Sequence, residues 1–231
     1  MTDPSPFGSQ RPPARPMFNA PKVVLWTIGI TLLAFLFVQI GPASWIDAIL
    51  RYLVFNPADL VFFDEYPFTI GIRWVGYALM HGGWMHVLVN SAFLLAFGTP
   101  IARQVPVGTF LALYALGAIG GALAVLMIYG GQDIYLVGAS GAVSALVGAL
   151  SRMVYLRRGN EAVPHPFNNR RAGTIFIAAF FGINLVLSFL PGPGGMSVSG
   201  ESHIGGFVTG FLMSLILPWH KSTNRRQAAN D

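Results

Sequence analysis

The sequence contains no cysteine and little charge. None of its 231 residues is Cys, and Asp, Glu, Lys and Arg together make up only 10% of the chain. Without cysteine the chain cannot form a disulfide, use a thiol nucleophile or hold a metal through thiolates. An ordinary soluble domain carries about 25% charged residues. The shortage of charge therefore argues against a soluble protein.

Hydrophobic residues make up 54% of the chain, and its mean hydropathy is +0.59. A helix needs about 20 mostly apolar residues to cross the hydrocarbon core of a bilayer. We therefore expect an all-α membrane protein with six transmembrane helices. The six apolar segments are 23–40, 74–97, 107–129, 136–156, 173–190 and 202–219.

The two ends of the chain differ in composition from the segment between them. Residues 1–21 are rich in Pro and Ser and show no apolar period, which predicts a disordered cytoplasmic tail. No cleavable signal is evident, because the first apolar run is long enough to span and lacks a small-residue cleavage site. Residues 22–219 are predicted to form the membrane domain, and residues 220–231 a second cytoplasmic tail.

The connection between the first and second spans mixes apolar, acidic and proline residues. Within it, Ile46, Ile49 and Leu53 recur at helical spacing opposite Asp47 and Arg51. That pattern favours a helix lying in the membrane interface rather than crossing the bilayer. An ordinary soluble loop would not expose so many aromatic rings, so we predict a half-embedded first outer loop.

The basic residues are distributed unevenly over the loops. If the amino terminus is cytoplasmic, twelve of the fourteen Lys and Arg residues fall on the inner side, and only Arg51 and Arg73 fall outside. Such a bias sets membrane orientation. It predicts that both termini are cytoplasmic, in a multi-pass protein of a bacterial inner membrane. The net charge of +5 is thereby explained without nucleic acid as a partner.

A short run of small residues, Gly138-Ala139-Ser140-Gly141, follows the polar-edged loop at 130–133 and opens the fourth span. A serine hydroxyl between such small neighbours is accessible to a substrate, as a nucleophile must be. Small residues also let membrane helices pack closely, and this motif alone does not separate the two interpretations. The predicted orientation places Ser140 near the outer surface, where water arrives.

Polar side chains of the second span lie in the same outer leaflet. At about 100° per residue, His86 and Asn90 share one helix face, whereas His81 is predicted to point away from them. Ionisable and amide groups inside a membrane are candidates for function. A hydrogen bond between helices is the alternative explanation for either residue alone.

The sixth span carries His203 at the same depth, followed on its own face by Gly206 and Gly210. These glycines predict that the sixth helix lies directly against Gly141 and the small residues after it. Such an approach would bring the imidazole to the Ser140 hydroxyl. A histidine at a helix end is otherwise more often structural.

These residues together can catalyse acyl transfer. His203 would act as the base that activates Ser140, and a dyad is expected because no Asp or Glu lies inside the spans. The oxyanion would be stabilised by the backbone amides of Ala139 and Ser140 at the helix start. His86 and Asn90 would add side-chain donors. No cofactor and no metal are expected.

The combination resembles the rhomboid family of intramembrane serine proteases. The resemblance rests on Gly138-x-Ser140-Gly141, on His86-x-x-x-Asn90, on His203 with Gly206 and Gly210, and on Arg73-Trp74 before the second span. It implies a six-helix rhomboid-like bundle with a water-filled cavity open to the outer face. It also implies that Ser140 and His203 are the dyad, with His86 and Asn90 at the oxyanion.

The resemblance further implies that the partners are membrane proteins in the lipid bilayer. Their transmembrane segments would be cut near the outer end, often after a small residue. One position departs from the family pattern, because Ser144 stands where many members carry an aromatic residue that stacks on the catalytic imidazole. His203 must then be oriented by another group.

Two other functions are compatible with parts of the sequence. A non-catalytic rhomboid-like protein that binds and escorts membrane proteins would be expected to lack Ser140 or His203, and both are present. A metal site or transporter could use His81, His86, His203 and Glu201. That second alternative lacks a recognisable ligand spacing such as His-Glu-x-x-His.

Overall fold

The computed structural model describes residues 20–155, 170–188 and 200–216. Nearly all of the tail predicted at 1–21, and all of the tail predicted at 220–231, lie outside the described residues. The described chain is almost entirely helical, and its only strand-like feature is an isolated backbone pairing of Phe55 with Leu136. The predicted all-α fold is therefore confirmed.

Nine α-helices occur in the described residues. They are α1 (Lys22–Ile40), α2 (Ala43–Leu53), α3 (Pro67–Gly76), α4 (Trp84–Phe93), α5 (Thr99–Ala102), α6 (Val107–Tyr129), α7 (Ser140–Tyr155), α8 (Arg170–Ser188) and α9 (Gly200–Met213). A π-helical turn at Leu94–Gly98 joins α4 to α5, so that these two form one continuous rod.

Three of these helical segments are long and apolar enough to cross a membrane, namely Lys22–Ile40, Trp84–Ala102 and Val107–Tyr129. The first and third agree closely with the predicted spans. The second begins at Trp84 rather than at residue 74, because α3 ends at Gly76 and the chain leaves helical geometry around Gly82 and Gly83. The described parts of α7 and α9 are shorter than a full span.

The centre of the bundle is α7, which packs most extensively against α6 and α9. Every residue at positions 141–150 is buried, so this helix has neighbours on all sides. Close packing of this kind needs small residues at the contacts. At Gly117 of α6, an added Cβ would collide with Ala145 of α7. The three helices α6, α7 and α9 form the scaffold on which the site is built.

The connection between α1 and α4, which the sequence predicts to be on the outer side and which is called the first outer loop below, contains α2, a 3₁₀ turn at Pro57–Phe62 and α3. No residue of α2 is buried, and large aromatic side chains of the loop are exposed. Exposed rings at this level are suited to the interfacial region of a bilayer. The exposed aromatic residues are Trp45, Tyr52, Phe62, Phe63, Tyr66 and Phe68.

Polar contacts hold this loop together and tie it to the chain before α7. Arg73 of α3 forms an ion pair with Asp59 and donates to the backbone carbonyl of Arg51. The Asn56 side-chain amide donates a 2.6 Å hydrogen bond to Asp133 Oδ1. The first outer loop is thus attached to the segment that leads into Ser140.

Candidate active site

Ser140 is the first residue of α7, so its hydroxyl lies at the amino-terminal end of a helix. The N–H groups of a first helical turn have no acceptor within the helix, and the helix dipole places partial positive charge there. Two residues earlier, Gly138 has φ of +112°, a conformation that side-chain-bearing residues rarely adopt. The glycine lets the chain turn sharply into the helix.

Backbone hydrogen bonds fix the segment that precedes Ser140. The Leu136 N–H donates to the carbonyl of Phe55 at 2.8 Å, and the Gly138 N–H donates to the carbonyl of Tyr77 at 3.0 Å. The Ala139 N–H donates to Nε2 of His81 at 3.4 Å. The Ala139 amide, expected from the sequence to stabilise an oxyanion, is thus directed at His81. Of the two backbone amides expected to stabilise an oxyanion, only the Ser140 N–H therefore remains as a candidate donor.

His81 is placed differently from the prediction. It precedes α4 and does not point away from the site: its ring meets that of His86 edge-on, with centroids 4.9 Å apart. Burial lowers the pKa of His81 well below its usual range, so the ring is neutral. Nδ1 then carries the proton toward the Leu79 carbonyl at 3.3 Å, and Nε2 is free to accept from Ala139.

His86 and Asn90 share one face of α4, as predicted, and that face meets the glycine turn. A Cβ added to Gly138 would lie 2.6 Å from His86 Nε2 and 3.8 Å from Asn90 Nδ2. Asn90 is only 5% exposed, and its amide donates to the His86 carbonyl at 3.0 Å. This intrahelical bond uses one of the two amide hydrogens.

The helix that carries His203 lies directly on α7. A Cβ at Gly206 would overlap the backbone of Gly141, and one at Gly210 would overlap the backbone of Ala145. His203 is buried, with 8% of its surface exposed. The structure therefore brings the helix of His203 into backbone contact with the residue that follows Ser140.

Two further residues singled out in the sequence have defined surroundings. Ser144 is buried in α7. Glu201 lies in the first turn of α9, where its carboxylate accepts a 2.9 Å hydrogen bond from the Tyr129 hydroxyl. Among the described residues, no three His, Asp or Glu side chains are arranged to hold a metal ion. The arrangement offers a hydroxyl, imidazoles and hydrogen-bond donors, which are the groups used in acyl transfer.

Comparison with known proteins identifies the family. The family model described as "Rhomboid domain" matches residues 71–220. RHOMBOID-like protein 5 of Arabidopsis thaliana is 26% identical over 89% of this chain and 73% of its own length. RHOMBOID-like protein 4 of the same plant is 30% identical over 60% of this chain, which spans only 32% of that relative.

A bacterial relative carries an activity in its name. "Rhomboid protease GlpG" of Pectobacterium atrosepticum is 25% identical over 90% of this chain and 67% of its own length. Two kinds of observation point to the same conclusion. The structure has apolar helices and close packing of α7 against α9, and the sequence matches the family model. The chain is an integral membrane protein that belongs to the rhomboid family.

Proposed function

We propose that this protein is an intramembrane serine endopeptidase in which Ser140 is the nucleophile and His203 the general base. The observation that carries the proposal is that all the candidate residues lie around residues 138–141. His86 and Asn90 face Gly138, two residues before Ser140, while Gly206 seats the helix of His203 on Gly141, one residue after it.

The proposed reaction begins when His203 accepts the proton of the Ser140 hydroxyl as its oxygen attacks the scissile carbonyl. The resulting oxyanion is stabilised by the Ser140 N–H and by donors on His86 and Asn90. Collapse of this intermediate breaks the C–N bond, and the imidazolium gives its proton to the departing amine. Water then attacks the acyl enzyme by the same steps, releasing the carboxylic acid and restoring Ser140.

The proposed substrate is the transmembrane segment of another membrane protein, cut near its outer end. Ser140 lies at the start of α7 beside the first outer loop, which supports a reaction close to one membrane surface. The name of the Pectobacterium relative supports proteolysis as the activity. The uneven distribution of Lys and Arg supports cytoplasmic termini and an outward-facing site.

The proposed compartment is the inner membrane of a bacterium. Matching proteins occur both in plants and in bacteria. Fractionation of the host membranes, combined with protease protection of tags at each terminus, tests compartment and orientation together. Tags that are both digested from the outer side would contradict the proposed topology.

The activity test uses the full chain reconstituted in liposomes with a single-span substrate that has small residues at its outer end. Wild-type protein should cleave this substrate and react with a fluorophosphonate probe, whereas Ser140→Ala and His203→Ala should do neither. Ser151→Ala is the matched control, because Ser151 is a buried serine of the same helix that bonds to the Gly148 carbonyl. Binding of the substrate without cleavage or labelling would favour the non-catalytic escort function instead.

A further inference from the structure

Tyr77 connects several elements of the site, although its position in the sequence carries no motif. It lies between α3 and α4 and is completely buried. Its hydroxyl donates a 2.8 Å hydrogen bond to the carbonyl of Ala118 in α6. Its own backbone carbonyl accepts the 3.0 Å bond from Gly138. One residue therefore anchors the glycine turn before Ser140 to the middle of α6.

The Tyr77 hydroxyl also lies where α6, α7 and α9 meet. A Cβ added to Gly141 of α7 would be 2.9 Å from the Tyr77 hydroxyl oxygen and 2.8 Å from Ser202 Oγ. A Cβ added to Gly121 of α6 would be 2.9 Å and 2.5 Å from the same two oxygens. The two hydroxyl groups share the space that these glycines leave open.

We propose that Tyr77 is a positioning residue for Ser140 and His203. It acts on the serine through the backbone bond to Gly138, and on the histidine through Ser202, which precedes His203 in the first turn of α9. This inference deepens the proposed function. Its effect on turnover rests on the proposed protease activity, whereas the positioning of the two residues is argued from the contacts alone.

The hydroxyl is the part of Tyr77 on which the positioning depends. A buried polar group is stabilised by its hydrogen bond, and the bond to Ala118 fixes the ring relative to α6. Ser144, one helical turn after Ser140, has no aromatic ring that could stack on the imidazole, so α9 needs another reference point. The Tyr77 hydroxyl beside Ser202 supplies it. Tyr77→Phe keeps the ring and removes only this anchor.

The geometric test exploits the absence of cysteine from the chain. A Ser140→Cys/His203→Cys pair has no competing thiol, so the rate of disulfide formation under mild oxidation reports how often the two positions meet. Adding Tyr77→Phe to this pair should lower the rate several-fold. Tyr114→Phe is the matched control, because Tyr114 of α6 is also a buried tyrosine, and its hydroxyl has no hydrogen-bond partner among the described residues.

The kinetic test uses the otherwise unchanged protein. Tyr77→Phe should lower kcat about tenfold with KM unchanged, since small displacements of reacting groups lower rates steeply. Ser202→Ala should lower kcat in the same way, and the double variant should be no slower than the slower single variant, as expected for coupled residues. Tyr114→Phe should match wild type.

The outcomes separate this inference from the proposed activity. A disulfide rate that falls with Tyr77→Phe supports the positioning even if the wild-type protein hydrolyses nothing, in which case only the proposed activity fails. A wild-type protein that cleaves, together with Tyr77→Phe rates equal to those of Tyr114→Phe in both tests, overturns the positioning and leaves the proposed activity intact. If the kcat losses of Tyr77→Phe and Ser202→Ala add up in the double variant, Tyr77 does not act on His203 through Ser202.

Discussion

His81 Nε2 accepts a hydrogen bond from the backbone N–H of Ala139, the residue directly before Ser140. The contact joins the chain ahead of α4 to the start of α7 at a buried position. It gives His81 a structural connection to the proposed nucleophile that the helical spacing of the sequence did not predict.

Replacement of His81 is expected to impair both the stability and the proposed activity of the protein. His81→Ala leaves the buried Ala139 N–H without an acceptor, which costs about 1–3 kcal/mol of stability. It should also lower kcat, because the turn before Ser140 loses one of the hydrogen bonds that hold its backbone in place. Thermal unfolding in detergent and steady-state cleavage measure the two effects. His81→Gln, which can still accept from Ala139, should recover most of both; equal losses in the two variants would contradict this explanation.

The contact between α7 and α9 should not tolerate a side chain at Gly206. Gly206→Val and Gly210→Leu would each place carbon atoms inside the backbone of α7, so the helices must separate and His203 must move. We expect losses in kcat of about a hundredfold or more. Gly29→Ala on α1 is the control, since nothing lies within 4 Å of a Cβ there. A Gly206→Val protein with wild-type kcat would exclude any contribution of this contact to catalysis.

Asn90 should act on the transition state more than on folding. Removing one oxyanion donor lowers the rate constant about 10²–10³-fold in preorganised sites. Asn90→Ala is therefore expected to reduce kcat to that extent with little change in KM. Ser91→Ala, which removes a buried hydroxyl from the next residue of α4, controls for loss of a polar group. Should Asn90→Ala lower the melting temperature strongly and leave kcat intact, its bond to the His86 carbonyl would be purely structural.

Arg73 is predicted to maintain the first outer loop through two contacts at once. Lysine has a single ammonium group and cannot reproduce a guanidinium that reaches both Asp59 and the Arg51 carbonyl. Arg73→Lys and Asp59→Asn should each destabilise the loop by about 1.5–3 kcal/mol, the range for hydrogen bonds to charged groups. Faster proteolysis or hydrogen exchange at α2 would measure this. Arg51→Lys should behave as wild type, because Arg51 contributes its carbonyl to the contact.

The sequence was sufficient for the fold class and for the helices whose apolar runs are uninterrupted. Val107–Tyr129 was predicted at its observed bounds because nothing in that run breaks the helix. The second span was placed too early, since hydrophobicity continues through α3 and hides the break before Trp84. The Gly82-Gly83 pair was the signal for that break, and it would have moved His81 off the helix.

The site residues differ in how visible they are in the sequence. The shared face of His86 and Asn90 follows from helical periodicity, a local property. The acceptor for Ala139 and the position of Tyr77 depend on contacts between distant segments, which no local spacing encodes. Tyr77 in particular is an ordinary aromatic residue in an apolar stretch until α6, α7 and α9 are packed around it.

The ties between the first outer loop and the chain before α7 bear on when the protein becomes competent during synthesis. Asn56 and Asp133 are 77 positions apart, and His81 and Ala139 are 58 apart. Contacts across such distances close large loops and form after the local turns of each helix. A nascent chain that has inserted α1 to α6 still has no anchored glycine turn, and His203 has not yet been made. The proposed site is therefore complete only after almost the whole bundle has been synthesised, so under the proposed function a partly synthesised chain would not yet cleave neighbouring membrane proteins.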